Sequence, residues 1–285
     1  MEPPARRTAV GQAPPAPARP VTSPGAVRVR REPPPFRLLT VRRVESLSPR
    51  MARVTLAGPE LEGLVVEQPA ASVRLLLPPP GESRLVMPRW DGNVFLLPDG
   101  TRAPIRTFTP RRLDLEALEL DVDIVLHGPG VASGWAERVA PGDRAAVSGP
   151  ARGYDVDRDA PAFLLGGDET AIPAIGQLLE VLPPATPVDV RIEVAGPDAR
   201  VALPAHPEAT VRWLDLPPEG RPGDALVDAV RGADVPAGAR VWVAGEAAAV
   251  QRVRRHLFDE RGLSRAEATV RGYWKHGRTG DGDDS

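Results

Sequence analysis

The stretch GGDETAIPAI, residues 166–175, marks the point where the chain turns from strand to helix. The run AFLLGG before the turn is short and apolar, as is typical of a buried strand. In the run AIPAIGQLLEVL that follows, apolar residues recur three and four positions apart, which is the period of a helix. One face of this helix carries Ile172, Ile175, Leu178, Leu179 and Leu182. A strand that runs directly into a helix predicts a βα unit of a parallel sheet.

The rest of the C-terminal half repeats this alternation. Four more strand-length segments follow, namely VDVRIEV (188–194), ATVRWLDL (209–216), RVWVAG (240–245) and ATVRGYW (268–274). An amphipathic helix over AAAVQRVRRHLFDERG separates the last two. Strands that alternate with helices predict a parallel sheet covered on both faces. In such sheets nucleotides bind at the carboxyl ends of the strands, where GGDET lies.

The N-terminal half has a different pattern of predicted secondary structure. Short strands separated by Pro and Gly turns predict a β-barrel, so the fold class is a β-barrel followed by an α/β domain. We expect the barrel over 34–155 and the α/β domain over 156–278. The Pro-, Ala- and Arg-rich segment 1–33 and the acidic segment 279–285 have no periodic apolar pattern, so both are predicted to be disordered tails.

Composition excludes several classes of protein. With a formal net charge of −2, the 285-residue chain lacks the basic surface that a general nucleic-acid binder needs. It contains no cysteine, which excludes disulfides and Cys-ligated iron–sulfur clusters, so any redox chemistry requires a bound cofactor. No apolar run approaches the ~18 residues of a membrane span, and no signal peptide is visible. We therefore expect a monomer in the cytoplasm that binds neither nucleic acid nor membrane.

Four other segments carry residues with useful chemistry, namely RTFT (106–109), HGPGVASGW (127–135), WVAGE (242–246) and GYWKHGR (272–278). An Arg guanidinium matches a diphosphate, and small residues let backbone N–H groups approach a phosphate. WVAGE ends a strand of the same sheet as GGDET, so both loops should open onto one crevice. Taken singly, each segment is also compatible with ordinary strand and turn structure. The pair Asp168 and Glu169 lacks neighbouring ligands at a suitable spacing, so we expect no metal site.

The order of these segments resembles the siderophore-interacting protein family, whose members are flavoproteins with a ferredoxin-reductase-like architecture. The resemblance covers roughly residues 34–278, and GDETAIPAI together with the terminal GYWKHG is its most specific part. It implies that RTFT and HGPGVAS bind FAD. It also implies that Thr170 and Ala171, in GDETA, lie between the flavin and the nicotinamide of NADPH or NADH. Gly245 and Glu246, in WVAGE, would face the nicotinamide nucleotide.

The resemblance assigns roles residue by residue. The implied cofactor-binding residues are Arg106, Thr107, Phe108, Thr109, His127, Gly128, Ala132, Ser133, Asp168, Thr170, Ala171, Gly245, Glu246 and Trp274. At the basic chain end, Lys275 and Arg278 are candidates for binding an anionic ferric siderophore. Two departures stand out. Phe108 replaces the usual Tyr of the R-x-Y-T motif, and the HGPGVAS loop is slightly shorter than the common form.

The implied activity is a reductase that takes a hydride from NADPH or NADH onto FAD and passes electrons to Fe(III) in a siderophore, which releases the iron. Hydride transfer requires no acid–base residue, so we name no catalytic residue and no metal ligand. Arg191, Arg200 and Arg212 are candidates for the 2′-phosphate of NADPH. Two alternatives stay open at this point, namely a flavin reductase for another acceptor and a non-enzymatic ferric-siderophore carrier.

Overall fold

The computed structural model describes Met1 and residues 33–128 and 130–277. The two predicted tails, apart from Met1 and Pro33, lie outside the described residues, as does Arg278. The described chain forms one antiparallel and one parallel sheet, joined by a short segment after residue 151. This confirms the predicted fold class, while the predicted domain boundaries remain a prediction.

The N-terminal sheet is a seven-stranded antiparallel barrel with a two-stranded hairpin attached. Its strands run in the spatial order β6-β3-β9-β1-β2-β8-β7, and β4 pairs with β5 in the hairpin. The elements are β1 Arg37–Ser48, β2 Met51–Ala57, β3 Ser72–Leu76, β4 Arg89–Trp90, β5 Phe95–Leu96, β6 Ile105–Phe108, β7 Pro110–Asp114, β8 Glu119–Val125, α1 Val131–Ala136 and β9 Arg144–Ala151.

The two edge strands of the barrel sheet, β6 and β7, follow each other directly in the chain. Thr109 is the single residue between them, so RTFT lies where the sheet closes on itself. Inward-facing residues such as Val54, Leu75, Val122 and Val147 fill the interior and are almost completely buried. Because side chains alternate along each strand, the polar residues between them face outward.

The C-terminal sheet has five parallel strands in the order β12-β11-β10-β13-β14. The core shared by α2 and the barrel covers one face, and α3 and α4 cover the other. The elements are β10 Phe163–Asp168, α2 Ile172–Val181, β11 Val188–Val194, β12 Ala209–Asp215, α3 Asp224–Arg231, β13 Arg240–Glu246, α4 Ala247–Arg255 and β14 Ala268–Trp274. None of the helices in the described ranges is both long and apolar enough to cross a bilayer.

A shared core and several hydrogen bonds fix the barrel against the parallel sheet. Met51 and Ala70 from the barrel pack in the same buried cluster as α2. Gln177 on α2 accepts from Ala70 N at 2.9 Å and donates to Pro110 O at 2.6 Å. Arg271 on β14 reaches back to the carbonyl oxygen of Ala70 at 3.3 Å. The carboxyl edge of the parallel sheet therefore has a defined position beside the barrel.

Candidate cofactor site

Asp168, the last residue of β10, organises the carboxyl edge of the parallel sheet. Its carboxylate is only 7% exposed. One oxygen accepts from Thr170 N at 2.9 Å and Thr170 Oγ1 at 2.5 Å, and the other from Glu246 N at 2.8 Å and Trp274 Nε1 at 2.7 Å. Burial raises the pKa of Asp168, although these hydrogen bonds act in the opposite direction. One side chain thus ties together the ends of β10, β13 and β14.

Two glycines permit the close approach of these strand ends. A Cβ on Gly167 would lie 2.4 Å from the Ala171 Cβ, and one on Gly245 would lie 2.6 Å from an Asp168 oxygen. Gly245 also has a φ of 154°, a backbone angle that residues with a side chain rarely adopt. Ala171 is fully buried beneath this turn, so its own side chain packs against the protein and does not line the crevice.

Glu169 and Glu193 fix two further elements at the same edge. Glu169 accepts from Ala195 N at 2.7 Å, just beyond β11, and from Arg50 Nε of the barrel at 3.1 Å. Glu193 accepts from Gly223 N at 2.6 Å, at the start of α3. Burial raises the pKa of Glu193, and the nearby charge of Asp168 adds to that rise. Both carboxylates therefore serve to hold the crevice walls in place.

Aromatic rings from both domains meet beside Asp168. His127, on the loop after β8, stacks on Trp274 with ring centroids 5.6 Å apart and planes inclined by 29°. His276 lies edge-on to Trp274 at 6.2 Å, and the backbone N–H of His276 donates to Glu246 Oε1 at 3.1 Å. His127 and Gly128 are both exposed, and open space surrounds the position that a Cβ on Gly128 would occupy. A planar ring system and a phosphate therefore have access here.

RTFT lies on the barrel side of this edge. Arg106 is half-buried and donates to Ile105 O at 2.8 Å. Phe108 packs partly against the barrel core, and Thr107 is exposed. Thr109, in contrast, is only 7% exposed, and its side chain is hydrogen-bonded to Tyr273 of β14. Burial raises the pKa of Tyr273 to about 12, so this contact between the domains stays uncharged at neutral pH.

The structure brings most of the predicted residues to one edge but turns several side chains inward. Ser133 is buried and its hydroxyl accepts from His127 N at 3.1 Å, so it shapes the loop. The carboxylates of Asp168 and Glu246 likewise bind protein groups, and the assignment of both residues to the cofactor stays a prediction. Lys275 is exposed directly after Trp274.

The three arginines considered for the 2′-phosphate of NADPH are not equivalent. Arg191 and Arg212 both bind Asp189, at 2.7 and 2.9 Å, near the amino end of β11. Arg200 pairs with Asp215 at 2.8 Å, at the carboxyl end of β12. Because nucleotides bind at the carboxyl ends, Arg200 is the one of the three placed to reach a bound nucleotide.

Arg50 is the residue that sequence reasoning missed. It follows the Ser48-Pro49 turn and reaches the GGDET turn of the other domain. Neither its spacing nor its neighbours distinguish it from the many other arginines of the chain.

The residues of this edge fit a flavin and a nicotinamide nucleotide. An exposed glycine turn, exposed rings and the half-buried Arg106 supply surfaces for a phosphate and a planar ring. Within the described part of the chain, no group of three or more His, Cys, Asp or Glu side chains is arranged to hold a metal ion.

Comparison with known proteins decides the family. Residues 40–154 match the family model of the siderophore-interacting FAD-binding domain, and residues 160–277 match that of the siderophore-interacting protein. This chain belongs to the siderophore-interacting protein family. Membership confirms the resemblance noted in the sequence, and the first match confirms FAD as a cofactor of the barrel.

Characterised and solved relatives agree with this family. The chain is 31% identical over 248 residues to the ferric vibriobactin reductase of Vibrio cholerae, covering 85% of this chain and 90% of that protein. It is 37% identical over 147 residues to the NADPH-dependent ferric-chelate reductase of Escherichia coli, which covers 52% of this chain and 57% of that protein. The crystal structure of a siderophore utilization protein from T. fusca superposes with a TM-score of 0.77 at 36% identity, over 88% of this chain and 96% of that one.

Proposed function

We propose that this flavin-dependent oxidoreductase uses NAD(P)H and FAD to reduce Fe(III) held in a siderophore, which releases the iron. The observation that carries the proposal is the stacking of His127 on Trp274 across the domain boundary. This contact places the flavin-binding barrel beside the carboxyl edge of the parallel sheet, where nucleotides bind. Similarity to a ferric vibriobactin reductase and an NADPH-dependent ferric-chelate reductase supports the choice of acceptor and donor.

When bound, the nicotinamide and the flavin would supply hydride transfer from the one to the other and electron transfer to the iron. The task of the protein is to hold two rings and a substrate in register. Arg106 and the exposed turn at His127 and Gly128 would bind FAD from the barrel side. Asp168 would fix Trp274 from the other side, because its carboxylate accepts the indole N–H.

The proposed activity suggests a cellular location for the protein but no oligomeric state. The NAD(P)H pool that such a reductase needs is in the cytoplasm, so we place the reaction there. The expectation of a monomer stays a prediction.

Iron capture tests the proposed activity. The purified protein is mixed without oxygen with a ferric siderophore and a dye that binds only Fe(II). We expect the coloured Fe(II) complex to form when FAD and NADPH are both present and not when either is omitted. Binding of the ferric siderophore without any Fe(II) would identify a carrier. Reduction of an artificial acceptor but of no ferric siderophore would identify a reductase for a different substrate.

Lys275 provides a sharper test of where the substrate binds. Positive charge beside the flavin would raise the local concentration of an anionic ferric siderophore. We expect Lys275→Glu to raise the KM for such a complex by about 5-fold at low salt, and the defect should shrink as salt screens the charge. Stopped-flow measurement of flavin reduction by NADPH should show little change, since Lys275 is not assigned to the nucleotide.

A matched control lies beyond the opposite end of β14. Arg265 is also exposed but lies before β14, at the amino end of the sheet. Arg265→Glu makes the same change in charge far from the crevice and should leave the KM unchanged. If re-oxidation of the flavin by the ferric complex at low salt is equally fast in Lys275→Glu and wild type, the basic chain end is not the substrate site.

A further inference from the structure

Arg50 joins the barrel to the nucleotide crevice. It lies in the turn between β1 and β2, and its carbonyl oxygen accepts from Leu126 N at 2.7 Å, one residue before His127. Its side chain crosses to the other domain, where Nε lies 3.1 Å from each oxygen of Glu169. Arg50 thus contacts the segment before His127 through its backbone and the GGDET turn through its guanidinium.

Glu169 holds the Arg50 guanidinium in one place but accepts from only one of its N–H donors. The carboxylate is buried and also accepts from Ala195 N at 2.7 Å, so it is anchored to the end of β11. The Arg50 side chain remains 34% exposed. Among the contacts made between described residues, its two Nη atoms donate to no protein acceptor. Since an Arg carries five N–H donors in a rigid fork, four of them stay available to a ligand.

The carboxyl edge of the parallel sheet around the Arg50 guanidinium is rich in carboxylates. Four carboxylates lie buried there, namely Asp168, Glu169, Glu193 and Glu246. Apart from Arg50, the hydrogen-bond donors described to these carboxylates are N–H and O–H groups without charge. A dinucleotide brings negative charge to this edge, and like charges at short range repel in a partly desolvated site. A fixed and partly exposed guanidinium at this edge would offset that repulsion.

We propose that Arg50 binds the diphosphate of the nicotinamide dinucleotide, which makes the barrel a direct contributor to the electron-donor site. The inference rests on the proposed function for the identity of the donor. The planar fork matches two phosphate oxygens at once, and its anchoring by Glu169 means that little conformational freedom is lost on binding. Arg50 is a binding residue and takes no part in the electron transfer itself.

The test compares two arginines of one β-hairpin. Arg53, which lies on β2 three residues after Arg50, pairs with Asp123 of β8 at 2.7 Å and makes no contact with Glu169, so Arg53→Gln removes the same charge from a different ion pair. Each variant is titrated by calorimetry with ADP-ribose, which carries the diphosphate but no nicotinamide. Retained FAD and the KM for NADPH are measured in parallel.

We expect Arg50→Gln to weaken ADP-ribose binding about 10-fold, since it removes charge-assisted hydrogen bonds, and to raise the KM for NADPH with little change in kcat. Arg50→Lys should fall between wild type and Arg50→Gln, because it keeps the charge and loses the fork. In Arg50→Gln alone, the buried carboxylate of Glu169 loses its cation. The double variant Arg50→Gln/Glu169→Gln removes that carboxylate as well, and it should keep the binding defect. Arg53→Gln should bind ADP-ribose as wild type does.

Several results would overturn the proposal. Equal ADP-ribose affinity in Arg50→Gln and wild type would show that Arg50 links the two domains and does not bind the dinucleotide. Loss of FAD with unchanged ADP-ribose binding would assign the residue to the diphosphate of the flavin. A wild-type protein that does not bind ADP-ribose would also refute it. ADP-ribose binding that depends on Arg50 in a protein that reduces no ferric siderophore would instead refute the proposed function and leave the assignment of Arg50 intact.

Discussion

Replacing Asp168 with Asn should lower the free energy of unfolding by about 2–4 kcal/mol. The carboxylate accepts two hydrogen bonds on each oxygen, from Thr170 on one side and from Glu246 and Trp274 on the other. An Asn side chain has one accepting oxygen, so its NH₂ group must face either the N–H groups of Glu246 and Trp274 or the N–H of Thr170, whose hydroxyl can turn to accept. Burial raises the pKa of Asp168, so removing the charge recovers part of this loss, but the donors left without an acceptor cost more.

The midpoint of chemical denaturation measures this effect. Asp228, which is exposed on α3, supplies a matched control, because Asp228→Asn makes the same chemical change at the surface. We expect the midpoint of Asp228→Asn to equal that of wild type. If Asp168→Asn were no less stable than Asp228→Asn, then Asp168 would not be the residue that holds the three strand ends together.

Replacing Arg106 with Ala should weaken FAD binding by about 10–100-fold, since a lost charge-assisted contact costs about 1.5–3 kcal/mol. Arg106 lies on β6 at the seam of the barrel, three residues before the buried Thr109. Its guanidinium is the group in RTFT that matches a diphosphate in charge and shape. The measurement is a titration of the flavin-free protein with FAD.

Arg112 on the adjacent strand β7 serves as the control. Its side chain is 70% exposed and pairs with Asp114 at 3.3 Å, so Arg112→Ala removes an arginine that is not assigned to the cofactor. We expect Arg112→Ala to retain FAD. Equal FAD affinity in Arg106→Ala and Arg112→Ala would remove RTFT from the flavin site.

Local patterns in the sequence predicted much of the fold. GGDETAIPAI predicted a strand that ends at a helix, and β10 Phe163–Asp168 followed by α2 Ile172–Val181 confirms it. This worked because the apolar period of each element can be read within one short segment. Strands β4 and β5 and helix α3 were not predicted. Each of the two strands has only two residues, too few to show alternation, and α3 follows the loop-like run PPEGRPG.

The contacts that build the site were not predictable in the same way. The sequence assigned both Asp168 and Trp274 to the cofactor site, but it did not show that they are hydrogen-bonded to each other across 106 residues. Arg50 and Glu169 are separated by 119 residues, and no local pattern pairs them. Such contacts depend on how the barrel packs against the sheet, which is a property of the tertiary structure.

The absorption spectrum of the purified protein tests the central claim most directly. A flavin-dependent ferric-siderophore reductase should absorb near ~450 nm, lose that band on addition of NADPH without oxygen, and regain it when a ferric siderophore is added. Fe(II) should appear as the band returns. A colourless protein that binds ferric siderophore, or a yellow protein whose reduced band does not return with any ferric siderophore, would contradict the account.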